Sequence, residues 1–266
     1  MKGADVGTAG RAGLFGPGSV TWRIMGRPEI WVAGFRAAYL QALHPRVMRG
    51  TWQNTAFADP SEAWGRFVRT TEFVRVRTYG SMAEVDRAGR RIRKIHASLT
   101  GTDADGTEFR LDEPELLLWV HCGEVASYLD VARRGGMQLS ASDAGTFLTE
   151  QRRSAAVVGL DPDQVPGSAA DLAAYFTAMR PRLHVTPEAR QAMLRSVNAR
   201  LPAGQWPFRL AVPSMAALAF ASLPRWARRM YGTPGIGVTD LAATAGLRAF
   251  HEGVSRLPDG LLRPAA

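Results

Sequence analysis

The chain has 266 residues, 46% of them hydrophobic, which is enough to bury one large core, and no linker divides it into two. Its formal charge of +9 comes almost entirely from arginine, because Lys2 and Lys94 are the only lysines; the basic residues are spread along the chain and form no nucleic-acid motif, so no nucleic-acid partner is expected. Cys122 is the only cysteine, which excludes an intramolecular disulfide and a cysteine-based zinc site and suits a reducing, cytoplasmic compartment.

Met1 to Ser19 is glycine-rich and lacks the apolar run of a secretory signal, so residues 1–18 read as a flexible leader, 19–258 as one helical domain and 259–266 as a tail. Apolar residues recur at spacings of three and four through most of the domain, and strict alternation is rare. The expected class is therefore all-α. Helices are predicted over 20–26, 28–43, 61–78, 82–100, 113–134, 141–158, 169–179, 187–200, 208–222 and 239–255. Asp59-Pro60-Ser61 precedes the third, Gly135-Gly136 ends the fifth, and Thr186-Pro187-Glu188 opens the eighth with a cap followed by proline. Between the fourth and fifth, the turn formers from Gly101 to Thr107 and the run Glu108 to Leu111 predict one small hairpin. Asp103, Asp105 and Thr107 superficially resemble a calcium loop, but that motif's glycine and distal acid do not follow.

The most apolar stretch, Ala211 to Leu223, is shorter than a membrane span and contains Pro213 and Ser214, so it reads as a core helix. Arg225, Arg228 and Arg229 directly after it leave weak membrane-surface contact as a secondary reading. The second half of the chain is expected to supply outer helices and part of a pocket wall, including Trp206, Phe208, Phe220 and Trp226.

Five histidines carry the chemical interest. His184 and His251 sit in polar surroundings and are expected at the surface. His44 precedes Pro45 and is expected to close the second helix as a cap. His121 lies among Leu117, Leu118, Val125 and Tyr128. His96 shares a helix face with Val85, Ala88, Ile92 and Leu99, which turns its imidazole inward. For a lone inward histidine the plain role is a core residue hydrogen-bonded to a carbonyl.

The preceding helix adds a second feature. Arg66, Arg69, Thr70 and Phe73 form one stripe, for which the plain role is a solvated face. Tyr79-Gly80-Ser81 reads as the turn that folds the third helix back on the fourth, and in an antiparallel pair hinged at Ser81 the residues Arg66 and His96 stand at one level. A flat cofactor between or beside the two helices would meet an imidazole on one side and guanidinium and hydroxyl groups on the other.

The segment from about Phe15 to Arg133 resembles the family of bacterial rubber oxygenases (latex clearing proteins) and the fungal mpaB oxygenase. The matching pieces, in order, are Phe15-Gly16-Pro17-Gly18-Ser19, His44-Pro45, Arg66-Phe-Val-Arg69-Thr70, Tyr79-Gly80-Ser81, Ile95-His96-Ala97 and Leu118-Trp-Val-His121. The resemblance implies an all-α fold with a globin-like core, haem b as the iron cofactor, His96 as its axial ligand, and O₂ chemistry on an apolar, isoprenoid or lipid-like substrate. Arg66, Arg69 and Thr70 would then be the distal catalytic groups, with Arg66 and Arg69 also contacting the cofactor. The family motif carries lysine where this chain has Arg69; a guanidinium stays protonated and cannot be a sixth ligand, so the distal position is expected to be open or water-filled.

Three alternatives stand beside this reading. The chain would be a haem-free or haem-storing helical binding protein for an apolar ligand, or its iron ligand would be Cys122 or His121 instead, or His44, His96 and His121 would hold a metal other than haem.

Overall fold

The computed structural model describes residues 13–55, 60–199 and 211–256. Within them the chain forms twelve α-helices and one two-stranded sheet, so the molecule is all-α. No described helix is long and apolar enough to cross a membrane.

At the centre, α2 (Ile30–Gln41) lies along α6 (Pro114–Arg134). The latter is apolar on nearly every side, and a helix of that kind must be enclosed. Around this pair stand α1 (Val20–Met25), α7 (Ala141–Val157), α10 (Ala211–Ala221) and α12 (Gly237–Ser255), and together they close a core holding Ile24, Leu40, Trp119, Phe147, Leu223 and Leu247. The Trp119 indole donates to the Gln41 carbonyl at 3.0 Å and Tyr231 donates to the Tyr39 carbonyl at 2.8 Å, so α2 satisfies the polar ends of both rings.

Several arginines behind the high net charge serve this core. Buried Arg36 donates to Ser127 and to the Ser222 carbonyl and pairs with Asp130, while Arg134 reaches the carbonyls of Ser222 and Asp240. Arg228 pairs with Asp240 at 2.6 Å, which completes a bridge from α2 and α6 to α12. Buried guanidiniums hold only when paired in this way.

The helical hairpin that carries the site is α4 (Pro60–Tyr79) followed by α5 (Met82–Ser98). The turn at Gly80 is tight, since a Cβ there would lie 2.6 Å from the Val76 carbonyl oxygen. Ser81 then opens α5 with a reciprocal cap: its hydroxyl accepts the Glu84 amide while the Glu84 carboxylate accepts the Ser81 amide at 2.8 Å. Helix α5 stops at Ser98, because Leu99 is extended and Thr100 enters β1 (Thr100–Thr102), which pairs antiparallel with β2 (Glu108–Arg110). The predicted hairpin is thus present, and the helix predicted to residue 100 is two residues shorter.

Two helices were not expected. Helix α3 (Pro45–Gln53) begins where a terminator was read, and the six-residue α11 (Arg225–Met230) is too short to show a period. The remaining helices are α8 (Ala169–Met179) and α9 (Pro187–Val197), the latter capped by Thr186 as predicted. Of the predicted 208–222 helix, residues 208–210 lie outside the described residues, as do Trp206 and Phe208. Residues 1–12 of the predicted leader do so too; in the rest of it Gly13 is bridged to Ser81 and Phe15 is buried, while Gly16, Pro17 and Gly18 are exposed.

Candidate functional site

His96 sits in the last turn of α5 with its ring half-buried, on the same face as buried Val85 and half-buried Ala88 and Ile92; half-buried Leu99 follows as the extended residue after the helix. Its Nδ1 is shut off from solvent and has no hydrogen-bond partner among the described residues. Burial lowers its pKa, the Arg66 charge lowers it further, and Asp112 opposes both. The imidazole is therefore held neutral at physiological pH, the only form with a lone pair to give to a metal.

Arg66 lies across the hairpin, close enough to act on His96 electrostatically. Its Nη1 donates to the Thr55 hydroxyl at 2.6 Å, and burial followed by neighbouring Arg69 lowers its own pKa from the ordinary guanidinium value. The structure thus brings Arg66 and His96 together. It places Arg69 and Thr70 differently: both are exposed, with the Arg69 guanidinium folded back over Gly65, where an added Cβ would meet Nη1 at 3.2 Å. Phe73 is half-buried one turn further on, beneath Arg77, whose guanidinium carbon stands 5.5 Å from the ring centroid.

Next to Arg66 in sequence, Phe67 stacks on Phe35 at 5.8 Å and meets Trp31 at 6.0 Å. This aromatic group joins α2 to α4. Trp31 on α2 and Val68 on α4 remain exposed.

The other histidines occupy separate places. His121 is buried on α6; burial pushes its pKa down to about 4, with Glu124 opposing and Arg77 adding to the shift, and its Nε2 has no partner among the described residues. Beside it, Arg77 grips Glu124 through two hydrogen bonds of 2.7 and 3.2 Å, and Tyr128 donates to the same carboxylate at 2.6 Å. Burial alone would raise the Glu124 pKa, but Arg77 holds it below the usual carboxylate range. The sequence stripe from Arg66 through Phe73 continues to Arg77, a signal that was present but whose acidic partner, 47 residues away, was not.

His44 does not close α2, which ends at Gln41. It is the extended residue before Pro45 that opens α3, and its side chain makes no cap bond. Its Nε2 stands 3.4 Å from Glu115, which also receives Arg182 at 2.8 Å, and the ring borders a cleft of about 320 Å³ lined by Pro45, Arg46, Asp103 and Arg182. Asp103, at the base of the calcium-like loop, is bound instead to Arg46 at 2.8 Å. His184 is exposed as expected, whereas His251 is half-buried with Nδ1 2.9 Å from buried Glu29, which Arg27 also binds.

Among the described residues no three His, Cys, Asp or Glu side chains converge as a metal-ligand set, so His44, His96 and His121 do not form one. Burial pushes the Cys122 thiol up to about 12, which keeps it protonated and argues against a thiolate ligand. Phe220 and Trp226 belong to aromatic core contacts, Phe220 with Tyr39 and Tyr231, and Trp226 with Phe176.

No curated protein and no solved structure matches the chain. A family model does: residues 22–256 match the catalytic domain described as ER-bound oxygenase mpaB/B'/Rubber oxygenase. The match runs from α1 to the end of α12 and takes in the whole α4–α5 hairpin. The chain therefore belongs to the mpaB/rubber oxygenase catalytic-domain family, a family of oxygenases.

Proposed function

We propose that this protein is a haem b-dependent oxygenase whose substrate is apolar and unsaturated, isoprenoid or lipid-like, with His96 as the axial ligand of the iron. The observation that carries the proposal is the state of His96: a neutral imidazole on the inner face of α5, one ring nitrogen buried without a partner, with the Arg66 charge beside it. The residues present fit the group. A metal-ligating histidine must be neutral, and the porphyrin's carboxylates need cations nearby. When bound, haem would supply the activation of dioxygen.

The rest follows from the chain's own side chains. Arg66 is tethered by Thr55, so its guanidinium is fixed before any ligand arrives, and it is suited to bind a propionate or to stabilise negative charge that develops during turnover. Being an arginine it does not compete for the metal. Arg69 and Thr70, exposed on the same helix, are suited to hold a propionate or the substrate's polar end at the mouth of the site. Trp31, Phe35 and Phe67, where α2 meets α4, would supply the apolar surface that such a substrate requires.

The test is oxygen uptake by purified protein supplied with haem b and an isoprenoid oligomer, with carbonyl products followed by mass spectrometry. Uptake that requires both additions supports the proposal. A colourless protein that takes up no oxygen and carries stoichiometric lipid would instead establish the apolar-ligand binding protein.

A further inference from the structure

Isolated exposed apolar side chains are ordinary on protein surfaces, but contiguous ones are not. Three stand at and just before the start of α12: Ile236, the extended residue before it, is 54% exposed, Val238 72% and Leu241 74%. They head a longer stripe. Val238, Leu241, Ala242, Ala245 and Ala249 are all exposed, and at helical spacing they fall within an arc of about 100°. The opposite face of α12 carries buried Ala243 and Leu247, which pack into the core, so the helix is anchored and only its outer side chains are available.

The charge around the stripe is net positive. From Arg225 to Arg256 the chain has five arginines against Asp240 and Glu252. Asp240 is already committed to Arg225 and Arg228, and Glu252 to Arg256. Arg229, on α11 close to Gly235, and Arg248, on α12 itself, are both exposed. An apolar strip with such cations near it complements one kind of surface closely, the boundary between anionic headgroups and acyl chains.

We infer that the outer face of α12 docks the protein on an anionic lipid bilayer. Ile236, Val238 and Leu241 enter the acyl boundary, while Arg229 and Arg248 remain among the headgroups. The contact is peripheral, because the helix's inner face stays packed on α10 and α6. It also places an enzyme for apolar molecules where such molecules dissolve, although the inference rests on the surface alone and not on the proposed chemistry.

The experiment is co-sedimentation with phosphatidylcholine vesicles, with and without about 30% phosphatidylglycerol, for the full chain and for the Val238→Ser/Leu241→Ser variant. Both substituted side chains face solvent, so the variant keeps its fold, which circular dichroism checks. The wild type is expected to sediment with the anionic vesicles, to release as salt rises, and to bind about tenfold more tightly than the variant. Equal binding by variant and wild type, equal binding to neutral and anionic vesicles, or no binding overturns the inference. So does a wild-type dimer that the variant dissolves in the absence of lipid, since the stripe would then pair with a second copy.

Discussion

Arg66 and His96, thirty residues apart in the chain and on opposite limbs of the α4–α5 hairpin, are electrostatic neighbours: the guanidinium joins burial in holding the imidazole neutral. Removing the charge therefore has a sign. In the cofactor-free protein Arg66→Gln should raise the His96 pKa toward its ordinary value, read from the pH dependence of the His96 Cε1–H signal by NMR. An unchanged titration would mean that the two groups do not share a level.

His121 makes a pH prediction of a different kind. Its folded pKa is about 4 against an ordinary 6.5, so the unfolded chain takes up the proton first. The stabilisation is complete above pH 6.5 and is lost as pH falls through 4, amounting to about 3 kcal/mol over that window. Urea unfolding at pH 7, 5.5 and 4 should show this loss in the wild type, and His121→Leu should flatten it by that amount.

The Arg77–Glu124 pair is largely buried and shares Tyr128. Cutting one side leaves a buried charge without a partner, so Arg77→Met should cost about 3–5 kcal/mol and lower the melting temperature by on the order of 10 °C. The double variant Arg77→Met/Glu124→Leu removes both charges. It should be more stable than Arg77→Met alone, and a further loss in the double variant would show that the two residues act separately.

Local signals were legible in the sequence. The period of three to four gave the all-α class, the Gly80-Ser81 hinge gave the hairpin, and that hinge was enough to put Arg66 and His96 at one level. Helix α3 was missed because a proline that ends one helix can equally begin the next at its first position. The partners of Arg77 and His251 were missed because they lie 47 and 222 residues away, where no periodicity reaches. The exposure of Arg69 and Thr70 was hidden for a related reason: spacing puts residues on one face of a helix but does not say what covers that face.

The central claim is that His96 is the ligand that holds iron, and haem titration followed by absorption tests it most directly. Wild-type protein should bind one haem b with a sharp Soret band and a ferrous spectrum typical of an imidazole ligand, while His96→Ala should weaken binding by about tenfold or more and shift the band. His121→Leu, at the buried histidine of α6, should leave the spectrum as it is. A His96→Ala protein with the wild-type spectrum and affinity would contradict the account.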